Sequence, residues 1–329
     1  MKIFRSLTDI PSDFGPVVAT IGNFDGVHCG HRWVIDRVNA RAQELGLRSL
    51  ALTFDPHPVR VLRPEAAHSL ITPLESKLDQ LATTGIDATL VLPFNLEISR
   101  LTPEAFARQI LRDAMHVREV HEGENFRFGY QAAADMQGLA ELGAQLGFAV
   151  HAYSPYIVRG SAISSSRIRN LIAAGDVSHA RALLGRPFQL LSTPASGRGY
   201  GTRYAVPTIN LAPYPELLPG NGVYVTQVMF GEGAAHERFH AVTNVGNRPT
   251  FGVDSFAVES HLLDFHPVAL AEDTPVAVRF LARLRAERRW PSPEALRAQI
   301  MQDVRDAARY FSLAEALASK DQPQAAQQV

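Results

Sequence analysis

Ten residues near the N-terminus, GNFDGVHCGH, constrain the fold of this chain more than any other feature. An apolar run, Val17–Ile21, precedes them and predicts a buried strand, and the residues after them predict a helix. Glycines let a backbone approach phosphate closely, and a helix start points N–H groups at it. The segment therefore predicts a nucleoside triphosphate site at a strand-to-helix turn, formed by Gly22, Asn23, Phe24, Asp25, Gly26 and Gly30.

The two histidines of this segment, His28 and His31, are predicted to be catalytic. Two imidazoles beside a phosphate can stabilise the charge that develops during group transfer. The alternative is that both are ordinary surface or core histidines. A zinc site is not predicted, because the familiar helical zinc pair is spaced H-x-x-x-H with a glutamate inside.

Length, charge and cysteine content bound the class of protein. The chain has 329 residues, which favours two domains. Its formal net charge of −1 gives no reason to expect nucleic acid or an anionic membrane as a partner. The single cysteine allows no internal disulfide, and no apolar run is long enough to span a bilayer. We therefore expect a cytoplasmic protein that is a monomer or a weak homo-oligomer and binds small molecules.

Strand and helix patterns alternate up to about residue 185. Strands are predicted at 17–22, 48–54, 88–94, 117–122 and 148–153. The first helix is predicted from about His31 to Leu45, with Val34, Val38, Ala42 and Leu45 on one face and Gly46 as its end. The second is predicted to open with a capping box at residues 72–75. This alternation predicts an α/β, Rossmann-like domain with a parallel sheet, and such sheets bind ligands at the carboxyl ends of their strands.

After residue 185 the chain becomes rich in proline, glycine and short β-type runs, which predicts a small antiparallel β-barrel or sandwich. A terminal helix follows, capped by Ser292, with Leu296, Ile300, Val304 and Phe311 predicted on one face. The predicted domains are therefore 1–185 and 186–320, followed by a polar, disordered tail at 321–329.

The segment GSAISSSRIR, residues 160–169, predicts a second phosphate-binding element. Serine hydroxyls, helix N–H groups and the guanidinium of Arg167 or Arg169 can converge on one anion as a mobile phosphate clamp. The alternative is a plain N-cap followed by a solvated arginine.

Two further segments follow predicted strands and so belong to the same edge of the sheet. In GENFRFG, Asn125 can hydrogen-bond phosphate or ribose, while Phe126 and Phe128 either pack in the core or flank a flat ring. FDPHP contains Phe54 and Pro56, and its prolines predict a rigid turn.

The second domain contains its own candidate site. Gly197, Gly199 and Gly201 permit close approach to phosphate, and Thr208 and Asn210 share one face of an extended strand, where their oxygens suit Mg²⁺ held with ATP phosphates. A glycine-rich hairpin with no ligand is the alternative. Glu259 is a candidate general base for an alcohol, or else a surface charge on a barrel strand.

These motifs, in this order, resemble the bifunctional bacterial riboflavin kinase/FAD synthetase family. The resemblance extends from about Val17 to Phe311 and rests on GNFDGVHCGH, FDPHP, GENFRFG, ISSSRIR, LLGRPF, PTIN, NRPTFG and VESHLLDF. It implies an N-terminal FMN adenylyltransferase domain of the Rossmann-like nucleotidyltransferase type. It also implies a C-terminal riboflavin kinase domain that is a small antiparallel β-barrel.

The resemblance also implies residue roles. His28 and His31 would bind ATP phosphates and stabilise the adenylyl group in transfer. Asn125 would help to position phosphate or ribose, and Ser164, Ser165 and Arg169 would form the mobile clamp. Thr208 and Asn210 would hold Mg²⁺ and ATP, and Glu259 would deprotonate the 5′-hydroxyl of riboflavin. If the chain binds a flavin, we predict Phe54, Pro56, Phe126 and Phe128 as the flavin-binding residues.

The second domain departs from the family pattern at three places. Ile209 stands where alanine is usual, Ala205 stands where glycine is usual, and HPVALAED follows LLDF where an acidic stretch ending in Tyr-Gly is usual. These departures leave open a monofunctional FMN adenylyltransferase whose barrel binds flavin or regulates. The core of a class I aminoacyl-tRNA synthetase is a further alternative, which the near-zero net charge and the lack of a basic helical domain oppose. Cytidylyl transfer to a small alcohol or phosphate is another alternative function, which the predicted barrel domain opposes.

Overall fold

A computed structural model of the chain describes residues 1–195, 208–231, 237–247, 256–268 and 270–320. The chain divides into two compact units, Met1–Ile168 and Arg169–Val329. This division falls earlier than the predicted boundary at residue 185, because the helix Val177–Leu184 packs against the strands Phe188–Ser192 and Val276–Ala286. The predicted tail at 321–329 lies outside the described residues.

A six-stranded parallel sheet forms the centre of the first unit. Its strands are β1 (Lys2–Phe4), β2 (Val17–Ile21), β3 (Arg48–Asp55), β4 (Ala88–Pro93), β5 (Val117–Gly123) and β6 (Ala149–Tyr153). The predicted strands match β2 to β6 to within one residue at each end. Strand β1 was not predicted, because a strand of 3 residues is too short to show an alternating pattern.

The strand order β1-β4-β3-β2-β5-β6 determines where a ligand can bind. The chain passes from β2 to β3 and β4 on one side, and then crosses over to β5 and β6 on the other. The order therefore reverses between β2 and β5. In sheets of this kind the ligand crevice lies at that point, outside the carboxyl ends of the two strands.

The first unit also contains α1 (Cys29–Leu45), α2 (Pro58–Leu62), α3 (Leu74–Ala82), α4 (Leu96–Ser99), α5 (Pro103–Phe106) and α6 (Met136–Leu146). A π-helical segment, Ala107–Ala114, continues α5, and single 3₁₀ turns occur at Leu7–Asp9, Pro64–Ala66 and Tyr130–Ala132. The strands β7 (Ile157–Val158) and β8 (Ser161–Ala162) form a short hairpin that leads into α7 (Ser165–Ala173).

Two details of the predicted helices are corrected. Helix α1 begins at Cys29 rather than at His31, and its buried residues are Ile35, Val38 and Ala42, while Leu45 is 38% exposed. The predicted end at Gly46 is confirmed, since Gly46 adopts the left-handed conformation with φ of 65°.

The predicted capping box of α3 is also wrong. The N-cap of α3 is Pro73, with no side-chain cap. The hydroxyl of Thr72 instead accepts a hydrogen bond from the backbone N–H of Gly26 at 3.0 Å. A residue type suited to capping is thus used for a tertiary contact, which the local pattern does not reveal.

An antiparallel barrel forms the second unit. Its strands are β9 (Phe188–Ser192), β10 (Thr208–Asn210), β11 (Gly222–Phe230), β12 (Glu237–Asn247), β13 (Phe256–Leu262) and β14 (Val276–Ala286), in the order β10-β13-β12-β11-β14-β9. Hydrogen bonds from Ala195 N to Asn210 O and from Ala212 N to Thr193 O join the two ends of this sheet. The predicted antiparallel barrel is confirmed.

Helices α8 (Val177–Leu184) and α9 (Pro293–Lys320) accompany the barrel. Ser292 caps α9 as predicted, accepting the N–H of Ala295 at 3.2 Å. Val304 and Phe311 pack against a cluster of barrel side chains, but Leu296 and Ile300 are 40% and 42% exposed. The predicted apolar face is therefore correct only for the middle of the helix.

Candidate active sites

The turn between β2 and α1 has an unusual backbone, held by tertiary hydrogen bonds. Phe24, Gly26 and Val27 all have positive φ, at 46°, 86° and 36°. This conformation is costly for the two side-chain-bearing residues, so the surrounding structure must stabilise it. The carboxylate of Asp25 accepts the N–H groups of Ile71 and Thr72 at 2.9 and 3.1 Å. Asp25 is thus buried and positions the turn.

The two histidines of the motif stack on one another. Their ring centroids are 3.6 Å apart and their planes differ by 13°. His28 is the N-cap of α1, and its Nδ1 accepts the backbone N–H of His31 at 3.2 Å. Because Nδ1 acts as an acceptor, a neutral His28 carries its proton on Nε2. This capping role is not predictable from the sequence, because histidine is not among the preferred N-cap residues.

Gly30 is required by the histidine stack. A Cβ atom at this position would lie 3.2 Å from two atoms of the His28 ring, closer than side chains normally pack. Gly22 has a similar relation to Phe24, whose ring would lie 3.2 Å from an added Cβ. Gly22 and Gly30 therefore allow neighbouring rings to pack against the backbone.

The serine motif reaches the same turn. Ser165 Oγ donates a hydrogen bond to the backbone carbonyl of Asp25 at 2.8 Å, which joins the first turn of α7 to the turn between β2 and α1. Ser164 caps α7, its hydroxyl accepting the N–H of Arg167 at 3.2 Å. Arg169 lies one turn further along α7 than Ser165. Ser164 thus takes the capping role that was the alternative prediction, while Ser165 makes a tertiary contact.

A cavity of about 1050 Å³ opens at the carboxyl ends of the strands, where the sheet order reverses. Gly22, Asn23 and Asn125 line it together with Phe54, Phe126 and Phe128. The rings of Phe126 and Phe128 are nearly parallel, with centroids 5.7 Å apart. The volume and the aromatic lining suit a nucleotide or a flat heteroaromatic ligand.

Pro56 is exposed and is not part of this lining. The neighbouring residues Pro58, Val59 and Leu62 of α2 line the cavity instead. His57 caps α2 by accepting the N–H of Val59 at 3.2 Å. The FDPHP segment therefore places the helix that follows it against the cavity, an arrangement that the sequence analysis missed.

Two buried ionisable groups support the site. Glu122 accepts hydrogen bonds from Thr20 Oγ1, at 2.9 Å, and from the backbone N–H of Ile21, and burial raises its pKa to about 8. Lys77 donates to Thr53 Oγ1 at 3.3 Å, and burial lowers its pKa against the opposing effect of Asp25 and Asp55. Neither group is predictable from the sequence, since the burial of both depends on tertiary packing.

In the second unit, the pairing of β10 with β13 brings the predicted metal pair and the predicted base together. Asn210 lies directly opposite Glu259, and Thr208 lies opposite His261. Thr208 Oγ1 and His261 Nδ1 are 3.2 Å apart, and burial lowers the pKa of His261. The hydroxyl, amide and carboxylate oxygens of this patch are the hard donors that Mg²⁺ prefers.

Ile209, the departure from the usual alanine, is 6% exposed and lies opposite Ser260, which is fully buried. Because side chains alternate along a strand, Ile209 points to the other face from Thr208 and Asn210. Its larger side chain therefore occupies the barrel interior. Gly197, Gly199, Gly201 and Ala205 lie outside the described residues.

The first unit has the features of a Rossmann-like nucleotide-binding domain. Its cavity lies where the order of the parallel strands reverses, beside the glycine-containing turn that leads to His28 and His31. Two family models match the chain, one over most of the first unit and one over most of the second. The model described as FAD synthetase matches residues 10–167, and the model described as riboflavin kinase matches residues 184–311.

Relatives match both units together. A bifunctional riboflavin kinase/FMN adenylyltransferase from Pseudomonas fluorescens is 35% identical, over 92% of this chain and 96% of its own length. The enzyme of that name from Escherichia coli K12 is 30% identical, over 95% of this chain and 99% of its own length. The chain belongs to the bifunctional riboflavin kinase/FMN adenylyltransferase family.

A solved structure shares the whole fold. It covers 93% of this chain and 98% of its own, with a TM-score of 0.80 and 25% sequence identity, and is titled a macrolide-efflux protein from Streptococcus pneumoniae. Among the described residues of the present chain, no helix has the length and apolar character needed to cross a membrane.

Proposed function

We propose that the barrel unit transfers the γ-phosphoryl group of ATP to riboflavin, and that the Rossmann-like unit transfers the adenylyl group of a second ATP to the FMN formed. The full-length similarity to bifunctional relatives favours this over a monofunctional adenylyltransferase with a regulatory barrel. The observation that carries the adenylyl transfer is the stacked pair His28 and His31 at a turn that adjoins the cavity.

In the adenylyl transfer, a phosphate oxygen of FMN attacks the α-phosphorus of ATP. A new O–P bond forms, the bond from the α-phosphorus to the bridging oxygen breaks, and pyrophosphate leaves. Residues 22–26 shape the turn that receives the phosphates, the backbone N–H groups at the start of α1 near Gly30 bind phosphate oxygens, and His28 and His31 stabilise the charge that develops. Catalysis of this kind rests mainly on positioning and charge neutralisation.

The remaining predicted residues complete this site. Ser164 and Arg169 hold the phosphates, Ser165 joins them once its hydroxyl is released from the Asp25 carbonyl, and Asn125 positions phosphate or ribose. Phe54, Phe126 and Phe128 contact the isoalloxazine ring in the cavity that they line. Pro56 is not among the proposed flavin contacts because it does not line the cavity, whereas Pro58 does and is proposed as a contact. Asp25 acts through the backbone of the turn, since its carboxylate is already bonded to two N–H groups.

In the kinase reaction, Glu259 accepts the proton of the riboflavin 5′-hydroxyl, whose oxygen then attacks the γ-phosphorus of ATP while ADP leaves. Gly197, Gly199 and Gly201 approach the ATP phosphates. Thr208 and Asn210 hold Mg²⁺, which when bound neutralises phosphate charge. His261 orients the hydroxyl of Thr208 through the contact at 3.2 Å.

Further parts of the proposal concern the protein as a whole. We place it in the cytoplasm as a monomer or weak homo-oligomer, with Mg²⁺ as cofactor and neither nucleic acid nor membrane as a partner. The low net charge and the single cysteine support this. We propose that the adenylyltransferase domain comprises residues 1–185 and the kinase domain residues 186–320.

A chromatographic time course tests both activities. The purified chain is incubated with ATP, Mg²⁺ and either riboflavin or FMN. We expect FAD from both substrates, with FMN as a transient when riboflavin is supplied. FAD from FMN but none from riboflavin would support the monofunctional alternative, and no FAD from either would overturn the proposal.

A further inference from the structure

A cluster of metal-ligating side chains lies on β5 and β6, apart from the residues to which the proposed reactions give a role. Glu119 and His121 project from one face of β5, and His151 lies directly opposite His121 on β6, the last strand at this side of the sheet. One ligand atom from each of the three residues lies within 4.8 Å of the other two.

The contacts within the cluster converge on one oxygen atom. Glu119 Oε2 is 3.2 Å from the Nε2 atoms of both His121 and His151. The other oxygen, Oε1, is 2.9 Å from Arg41 Nη2. The carboxylate can therefore keep its ion pair with Arg41 through Oε1 while Oε2 binds a cation. Arg41 Nε, which lies 3.0 Å from Oε2, would have to move aside.

A partner outside the cluster can fix the tautomer of His121, whose Nε2 faces Glu119. On its far side, His121 Nδ1 is 2.7 Å from the hydroxyl of Tyr153. A hydroxyl both donates and accepts, so Tyr153 can hold His121 in the tautomer that presents Nε2 to a metal, as outer hydrogen bonds commonly do at such sites.

We propose that Glu119, His121 and His151 form a site for a divalent transition-metal ion of the Zn²⁺ class, which joins the edge strand β6 to β5. Two imidazoles and one carboxylate are a familiar zinc ligand set, with water at the fourth position. Nitrogen ligands disfavour Mg²⁺, so this site is chemically distinct from the oxygen donors of the kinase patch. His151, whose side chain is 43% exposed, gives the ion access from solvent.

Titration with Co²⁺ in excess Mg²⁺ tests the proposal, on the full chain with any affinity tag removed. Co²⁺ reports its ligands through visible absorption, and Mg²⁺ occupies oxygen-rich sites. We expect one Co²⁺ per chain that Zn²⁺ displaces, and a melting temperature that rises when Zn²⁺ is added. His151→Ala and Glu119→Gln should abolish both signals, and Tyr153→Phe should weaken Co²⁺ binding about 10-fold to 100-fold.

The matched control is His266→Ala, which removes another exposed histidine beside a carboxylate, Glu237. It should leave Co²⁺ binding unchanged. Since His151 is partly exposed, its replacement is not expected to prevent folding, and a melting curve without metal checks this. The proposal is overturned if wild type and His151→Ala bind Co²⁺ with the same stoichiometry and affinity, or if Zn²⁺ raises both melting temperatures equally. Either result is independent of the two transferase activities, which are measured separately.

Discussion

The imidazole rings of His28 and His31 lie face to face, 3.6 Å apart between centroids, while Nδ1 of His28 accepts the N–H of His31. One side chain thus begins helix α1 and also belongs to the proposed catalytic pair. The capping bond holds the His28 ring through Nδ1 and leaves the proton of the neutral ring on Nε2. Because His28 has both roles, its replacement should change stability through the lost helix cap and catalysis through the lost imidazole.

His28→Asn and His28→Ala should differ in stability but agree in activity. Asparagine is a preferred N-cap and alanine is not, so only His28→Ala should lose about 1 kcal/mol of unfolding free energy in urea. Both variants lack the imidazole, so FAD formation from FMN should fall about 10²-fold to 10³-fold. FMN formation from riboflavin, measured in the same samples, should not change. Retained adenylyl transfer in His28→Asn would remove His28 from the catalytic pair.

Gly30→Ala should impair adenylyl transfer without destabilising the helix. The added Cβ would lie 3.2 Å from the His28 ring, so the ring must shift by a few tenths of an ångström. Small misplacements of catalytic groups are costly, and we expect kcat for FAD formation to fall about 10-fold. Gly138→Ala, also within a helix but with ordinary contacts at its added Cβ, is the control for substitution itself. Equal rates for the two variants would contradict the proposed role of the stack.

Glu122→Gln should flatten the dependence of stability on pH. Burial raises the pKa of Glu122 from 4.5 to about 8, so this carboxyl remains protonated in the folded state where it ionises in the unfolded state. Its contribution to stability is therefore complete below about pH 4.5 and is lost as the pH rises through 8.

Urea unfolding of wild type and Glu122→Gln between pH 5 and pH 9 measures this effect. The wild type should lose at most about 1.4 kcal/mol per pH unit relative to the variant over this window. Glu141→Gln, which changes an exposed glutamate on α6, should follow the wild type. Parallel curves for wild type and Glu122→Gln would show that Glu122 titrates normally.

Glu259→Gln should separate the two activities. The amide cannot accept the proton of the riboflavin 5′-hydroxyl, so FMN formation should fall about 10²-fold to 10⁴-fold. FAD formation from added FMN should continue at the wild-type rate, because it is assigned to the other unit. An unchanged rate of FMN formation would show that another group is the base, and the adjacent His261 would then be tested by replacement with glutamine.

Local patterns were sufficient to predict much of this protein. Apolar runs located β2, β3 and β4, because buried parallel strands are almost continuously apolar. Gly46 and Ser292 marked a helix end and a helix start, since left-handed φ and N-capping are properties of single residues. Thr208, Asn210 and Glu259 were identified as candidates by residue type and spacing alone.

Only the tertiary structure decided how these candidates meet. Sheet register placed Glu259 opposite Asn210, and a contact across 140 residues of chain separation joined Ser165 to Asp25. Thr72 has the residue type of a helix cap, but its hydroxyl accepts the backbone N–H of Gly26 instead. The cluster of Glu119, His121 and His151 exists only because β5 and β6 are neighbouring strands. Sequence determines which groups a segment can offer. Packing determines their partners and their burial, and hence their pKa values, because both depend on residues far away in the chain.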